Sequence, residues 1–465
     1  MSWSREPGSF RDPSGFVFRH DGVIYRQVNR PFADAYDLFV RSGLCRELVE
    51  ERLLVPHEEV DLRLPGAPAP HRVIRPQPVP FVSYPYEWCF GQLKAAALVT
   101  LEAQRRALAR GLVLRDASAF NVQFVDGRPV LIDTLSFGPY EEGRPWGAYR
   151  QFCEHFLAPL ALMAHVDPSC GRLMALHIDG VPVALASKLL PTTTRLRPGL
   201  LTHIHLHGRF SRTGATALPS NQPPAPRRRM SRTAMLGLAE SLQRTVAAIT
   251  YRPGASVWTG YHAGTSYTEA AHRHKQQLVE ECVACVSSPS PPRLVWDLGA
   301  NDGTFSRIAA STGAQVVSMD MDYAVVERHY RACVTRNETH VLPLVQDLLN
   351  PSGGLGWNGD ERQGLAERGP ADLVIALALI HHLAIGGNVP FEVMTTFLAR
   401  LGRHLIVEFV PKDDIQVNSM LATREDVFQS YTQGHFEEAF GKRYHIRRVA
   451  PIAESRRVLY LMETR

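Results

Sequence analysis

Three acidic residues, each at the end of an apolar run, surround one glycine-bearing loop in the second half of the chain. Asp297 ends LVWD, Asp320 ends AQVVSMD and Asp347 ends HVLPLVQD. In the loop Asp297-Leu298-Gly299-Ala300-Asn301-Asp302-Gly303, the two glycines clear side chains from the backbone, so a ligand can come close. Glycine also reaches positive φ, and Asn301 between them is among the few other residues that tolerate the left-handed region. A carboxylate at Asp320 can accept from both hydroxyls of a ribose, with Asp322 a less well placed substitute. Asp347 can accept from an adenine amino group, with Leu348 against the ring. Each acid alone serves equally well as a helix cap or a solvated turn. Three of them in register with one loop favour a bound nucleoside. The glycine spacing is Gly-x-x-x-Gly, which is not the Gly-x-Gly-x-x-Gly of dinucleotide binding.

The elements that must hold these groups alternate strand and helix. LVWDLG, AQVVSMD, HVLPLVQD, DLVIAL and HLIVEFV are apolar throughout, as expected for parallel strands covered on both faces. Helical spacing follows the first two, in TFSRIAAS and VVERHYRAC. A further helix is expected over Thr423 to Phe440. RYHIRRV and SRRVLYLME then come too close together for a helical crossover, so they should pair antiparallel. In such a doubly wound sheet, ligands sit at the carboxyl edge where the winding reverses, which is where the loop and the acids fall.

This arrangement resembles the class I S-adenosylmethionine-dependent methyltransferases. The loop matches their first motif, Asp/Glu-x-Gly-x-Gly-x-Gly, with Asn301 at the middle glycine. The resemblance implies an α/β, Rossmann-like seven-stranded sheet closed by a β6-β7 antiparallel hairpin, with S-adenosylmethionine as cofactor. Asp297, Gly299, Asn301, Asp302, Gly303, Asp320 and Asp347 would bind it. Trp258, Tyr261, Tyr267 and Lys275 look like the segment that covers the cofactor in this family; the tyrosine faces either attract the sulfonium or simply pack. After the fourth strand, ALALIHHLAI resembles the family's LHHL. His382 or His381 is therefore a candidate base for the acceptor's proton, or else a helix cap. Glu408, ending the fifth strand, is a second candidate base or an anchor for an acceptor amine. No Asn/Asp-Pro-Pro-Tyr and no cysteine follows strand four, which argues against N6-adenine methylation and against cysteine attack on a pyrimidine. The expected acceptor is a small molecule.

The first half carries another resemblance. VLRDASAFNVQF followed by PVLIDTLSF is similar to the catalytic loop and metal-binding strand of protein-kinase-like phosphotransferases. Asp116 would orient a hydroxyl, while Asn121 and Asp133 would hold Mg²⁺. The pattern departs in three places: no glycine-rich phosphate loop is evident, Arg26 stands nearest to the position of the nucleotide-pairing lysine, and Thr134-Leu135 replaces Phe-Gly after Asp133. The expected organisation is an α+β, kinase-like domain over 1–190, a basic Pro/Arg-rich linker over 191–233 and the methyltransferase domain over 234–465.

At 465 residues with 45% hydrophobic and 21% charged side chains, the chain can bury two cores. A net charge of +5 specifies no partner. The arginine-rich linker lacks the interleaved aromatics of a nucleic-acid surface. No apolar run is long enough to span a membrane. Neither a leader segment nor a cysteine framework is evident, so the expected location is the cytoplasm. His203, His205 and His207 would share one face if HIHLH were a strand, but no fourth metal ligand is evident, so a solvated histidine face is expected. Cys282 and Cys285 read as core residues of a helix, and no metal site is expected. Oligomeric state is not legible.

Overall fold

The computed structural model of the chain describes residues 3–64, 66, 68–209, 229–254, 268–422 and 425–465. It divides into two compact units, Met1–Arg252 with Leu355–Arg362, and Pro253–Gly354 with Gln363–Arg465.

The first unit is α+β. Its sheet has the order β1-β2-β3-β5-β4, from β1 (Trp3–Arg5), β2 (Gly15–His20), β3 (Val23–Val28), β4 (His57–Val60) and β5 (Arg72–Pro76), all antiparallel. Asp21-Gly22 turns the β2–β3 hairpin with both residues at positive φ, as a two-residue turn that follows strand twist requires. Helix α1 (Ala33–Arg41) lays Tyr36 on Val28, Phe32, Ile74 and Leu135. Beyond Pro85–Glu87, helix α2 (Phe90–Ala109) buries a stripe of alanine and leucine that includes Leu93, Ala97, Leu101 and Leu108. Then come two short pairs, β6 (Leu112–Leu114) with β9 (Phe137–Pro139) and β7 (Val122–Val125) with β8 (Arg128–Leu131). A second Asp-Gly, Asp126-Gly127, turns the latter pair.

Two expectations need correction here. HIHLH lies in a π-helical turn, Leu201–Leu206, not in a strand. His203 bonds Tyr149 and Ser241, and His205 bonds Ser187 and Thr194, so both are satisfied core histidines. The expected linker over 191–233 and the boundary at 234 also move: 192–206 forms short helical turns of the first unit that bury Thr194, Leu200 and Ile204. Helix α3 (Arg232–Ala248) belongs to the first unit, where Lys94 of α2 donates to the carbonyls of Ala247 and Ile249 beyond it. Its Met235, Ala239, Leu242 and Val246 form one buried stripe.

In the second unit, seven strands are ordered β12-β11-β10-β13-β14-β16-β15. These are β10 (Leu294–Leu298), β11 (Gln315–Asp320), β12 (Val341–Val345), β13 (Ala371–Ala376), β14 (Gly402–Phe409), β15 (Tyr444–Pro451) and β16 (Val458–Thr464). The first five are parallel, and β16 runs antiparallel to both β14 and β15. Helices α4 (Glu269–Val286), α5 (Thr304–Ala310) and α6 (Tyr323–Arg336) precede or separate the first strands. Val279, Cys282 and Val283 of α4 meet Val295, Ile375, Ile406 and Leu459 of the sheet in one apolar cluster. The helix expected over Thr423 to Phe440 is shorter, Gln433–Gly441, with Thr432 capping it, while Ile415–Leu421 forms a separate helix capped by Asp414.

Candidate functional site

Because β11 flanks β10 on one side and β13 on the other, the winding reverses at β10, and a crevice opens at its carboxyl end. The residues there take the conformations that their types permit. Gly299 has φ 76°, Asn301 49° and Gly303 79°, three left-handed residues in five. This folds the loop back so that the Gly299 and Ala300 N–H groups both donate to the Met319 carbonyl. Gly303 has a further reason to be glycine, since a Cβ there would stand 2.1 Å from Nε2 of His329.

The expected acids converge on the loop. Asp320 Oδ2 accepts the Asn301 N–H at 3.0 Å, and its Oδ1 accepts the Asp322 N–H at 3.0 Å. The carboxylate is thereby fixed in orientation, with lone pairs left over. Burial pushes its pKa up, against the two N–H groups that lower it. Asp347 accepts the Leu349 N–H, and Asp302 accepts from Thr304 as the turn into α5 begins. Asp297 is buried and accepts the Ser306 hydroxyl at 2.6 Å. Burial raises its pKa to about 7, and the neighbouring Asp320 adds to the rise. All four acids line one cavity of about 290 Å³, together with Gly299 and Asn301. Its remaining walls are largely apolar, with Phe305, Met321, Leu348, Leu377, Leu379 and Leu383. Tyr261 and Tyr267, with Trp258, lie outside the described residues.

The two candidate bases have different surroundings. His382 lines the cavity, and burial lowers its pKa to about 4, so it is neutral at pH 7. His381 is wholly buried beside it, and neither of its ring nitrogens finds a partner among the described residues. Burial holds His381 well below the ordinary imidazole range. Glu408 is not placed as a base. One oxygen meets Lys275 Nζ at 2.6 Å and accepts the Ala378 N–H at 2.8 Å, and the other lies 3.3 Å from Arg457. Arg457 in turn makes two bonds to Asp414. Lys275, Glu408 and Arg457 are all buried. Ala378 has φ +49°, a strained conformation for alanine, at the start of the turn that carries His381 and His382. Lys275 also lines the cavity. In the sequence Lys275 and Glu408 stand out separately, and nothing there marks Arg457 or Asp414 as their partners. The only available signal was a glutamate inside the apolar run HLIVEFV, which implies a buried cation partner without naming it.

In the first unit, Asp116, Asn121 and Asp133 are brought together. Asn121 Nδ2 and Asp133 Oδ2 share the Ser136 hydroxyl, at 3.3 and 2.7 Å. Asp133 Oδ1 accepts the Leu135 N–H and pairs with Arg26 at 2.9 Å. Asp116 accepts from Ser118 N–H and Gln151, and its pKa is raised by burial and by Asp133.

Strand order, the antiparallel last pair and the loop-and-acid crevice together define a methyltransferase-like α/β fold for the second unit. The whole chain is 37% identical over 467 residues to nodulation protein NoeA of Rhizobium meliloti (strain 1021), covering 99% of this chain and 96% of that one. It belongs to the NoeA family. No family model matches the sequence. Among solved structures, the chain is similar to magnesium protoporphyrin IX methyltransferase (ChlM) from Synechocystis PCC 6803 with bound SAH. That pair shares 20% identity over 45% of this chain and 93% of that one, with TM-score 0.32. N-methyltransferase NodS from Bradyrhizobium japonicum WM9 aligns at 11% identity over 42% and 97%, with TM-score 0.30. WbdD aligns at 17% identity over 42% and 40%, also with TM-score 0.30. Scores this low leave the fold to rest on strand order.

Proposed function

We propose that the second unit binds S-adenosylmethionine and transfers its methyl group to a small-molecule acceptor. The observation that carries this reading is the Asp320 carboxylate, held by two backbone N–H groups at the carboxyl edge of β11 and facing a loop of three left-handed residues. A ribose diol fits such a fixed pair of oxygens, and Asp347 lies on the same cavity to receive the adenine amine, with Leu348 against the ring. Asp297, when ionised, supplies a carboxylate for the ammonium of the amino-acid end, while Lys275, paired with Glu408, borders the same cavity. When bound, the cofactor supplies an electrophilic methyl on a sulfonium. The protein's own contribution is positioning and exclusion of water by the leucine-lined walls. His382, neutral at pH 7, can accept a proton or a hydrogen bond from the acceptor. Glu408 instead holds the Ala378 turn through that residue's N–H, and so positions His382.

Incubation with radiolabelled S-adenosylmethionine and size-fractionated cell extract tests this reading. Label is expected in the small-molecule fraction. Label in protein or RNA would change the acceptor class, and tight binding with no transfer would make the unit a binding module.

A second reading has one observation in its favour: the convergence of Asp116, Asn121 and Asp133, which is similar to a kinase-like catalytic cluster. The cluster does not fit Mg²⁺ as it stands, because the Arg26 guanidinium, 2.9 Å from Asp133 Oδ1, already neutralises that carboxylate and would repel a second cation. A scaffold role for the first unit is therefore favoured over phosphotransfer. ATP with Mg²⁺ is expected to leave the melting temperature unchanged; a rise that is lost in Asp133→Ala would restore the phosphotransferase reading.

A further inference from the structure

Directly behind the glycine loop, His329 and Cys333 occupy successive turns of one face of α6, and the chain then brings back Glu338. A ring nitrogen of His329, Sγ of Cys333 and a carboxylate oxygen of Glu338 all lie within 4.8 Å of one another. His329 is 3% exposed and Cys333 4%. Nε2 of His329 is buried and finds no hydrogen-bond partner among the described residues, while the Glu338 carboxylate faces the Cys333 thiol in a side-chain hydrogen bond. Nδ1 of His329 has only a long contact, 3.4 Å, to the Ser318 hydroxyl. Leaving a buried ring nitrogen unmatched beside a thiol and a carboxylate is costly, and one ion could engage all three groups.

We propose that His329, Cys333 and Glu338 form a binding site for one divalent transition-metal ion, zinc by preference. The donor set is nitrogen, sulfur and oxygen, which suits a borderline-soft cation and excludes the all-oxygen preference of Mg²⁺ or Ca²⁺. On a tetrahedral zinc, such donors stand roughly 3.3–3.8 Å apart, so the observed cluster needs to contract by about 1 Å. Three protein ligands leave the fourth position to water. Binding breaks the Cys333 S–H bond, forms the metal–thiolate bond and releases one proton to solvent. The second Glu338 oxygen, Oε1, stays with Arg307 at 2.8 Å, an outer partner that orients the ligand. His329 lies against Gly303, so an occupied site would hold the second glycine of the loop in place from behind.

The test measures metal directly and needs no methyl acceptor. The full chain, purified without a histidine tag, is incubated with zinc, desalted and analysed by mass spectrometry. One zinc per chain is expected, falling below one fifth in Cys333→Ser and in His329→Gln. Cobalt titrated into the wild-type chain should give a sulfur-to-cobalt charge-transfer band, which reads thiolate ligation even if a variant fails to fold. No retained zinc and no such band in the wild-type chain would overturn the site. So would equal retention by folded variants, which would mark the zinc as adventitious. A bound zinc with no affinity for S-adenosylmethionine would leave this site standing while the cofactor reading fell.

Discussion

Glu408 carries a carboxylate into the middle of an apolar sheet and finds Lys275, Arg457 and the Ala378 N–H waiting there. Buried pairs of this kind add little net stability, but removing one partner leaves the others as unpaired charges. Glu408→Ala is therefore expected to destabilise the second unit by about 3–5 kcal/mol in urea denaturation, far more than the loss of a surface carboxylate. Asp297 offers a pH-dependent test. Its pKa is raised from 3.8 to about 7, so the neutral form is favoured in the folded chain. Its contribution to stability is then full below about pH 4 and is lost as pH rises through about 7. A ligand ammonium requires the carboxylate instead. The affinity for S-adenosylmethionine should accordingly fall by up to about tenfold per pH unit below 7 and flatten in Asp297→Asn. PH-independent calorimetry on the wild-type chain would contradict that role. At this scale the sequence announced the acids and glycines, because strand ends and left-handed positions restrict residue type. It could not announce Arg457, which sits beside Arg456 in the same run and differs only in where the β15–β16 connection turns it.

Two glycines four residues apart do different work within one loop. Both have positive φ, yet a Cβ at Gly299 would meet only Leu379, at 3.5 Å, while one at Gly303 would run into the His329 ring. Gly299→Ala should thus cost only backbone strain, about 1–2 kcal/mol, whereas Gly303→Ala adds overpacking for a total of about 2–5 kcal/mol. Equal losses in the two variants would show that His329 yields. Apolar runs such as DLVIAL and AQVVSMD read as strands because their length and their uniform apolarity allow little else. The segments that misled were those whose conformation depends on partners. HIHLH has strand-like alternation, but its histidines find Tyr149, Ser241, Ser187 and Thr194 around a π-helical turn. Helix α3 was legible as a helix from its apolar stripe, and nothing local to it says which core it joins.

The two units divide the chemistry as well as the chain. Among the described residues, the crevice at the carboxyl end of β10 is lined by the second unit alone, while the Asp116–Asn121–Asp133 cluster, with Arg26 across Asp133, belongs to the first. Among the described residues, no helix is long and apolar enough to cross a membrane. Hydrogen exchange with S-adenosylhomocysteine should show new protection at 297–303, 320–322, 346–349 and 377–383, and none over 3–209. The central claim is that Asp320 holds a ribose, and calorimetric titration of S-adenosylmethionine into the wild-type chain and a folded Asp320→Ala variant tests it most directly. Binding at one site per chain is expected for the wild type, with affinity at least a hundredfold weaker in the variant, about 2.7 kcal/mol. Equal affinity in the two would contradict it.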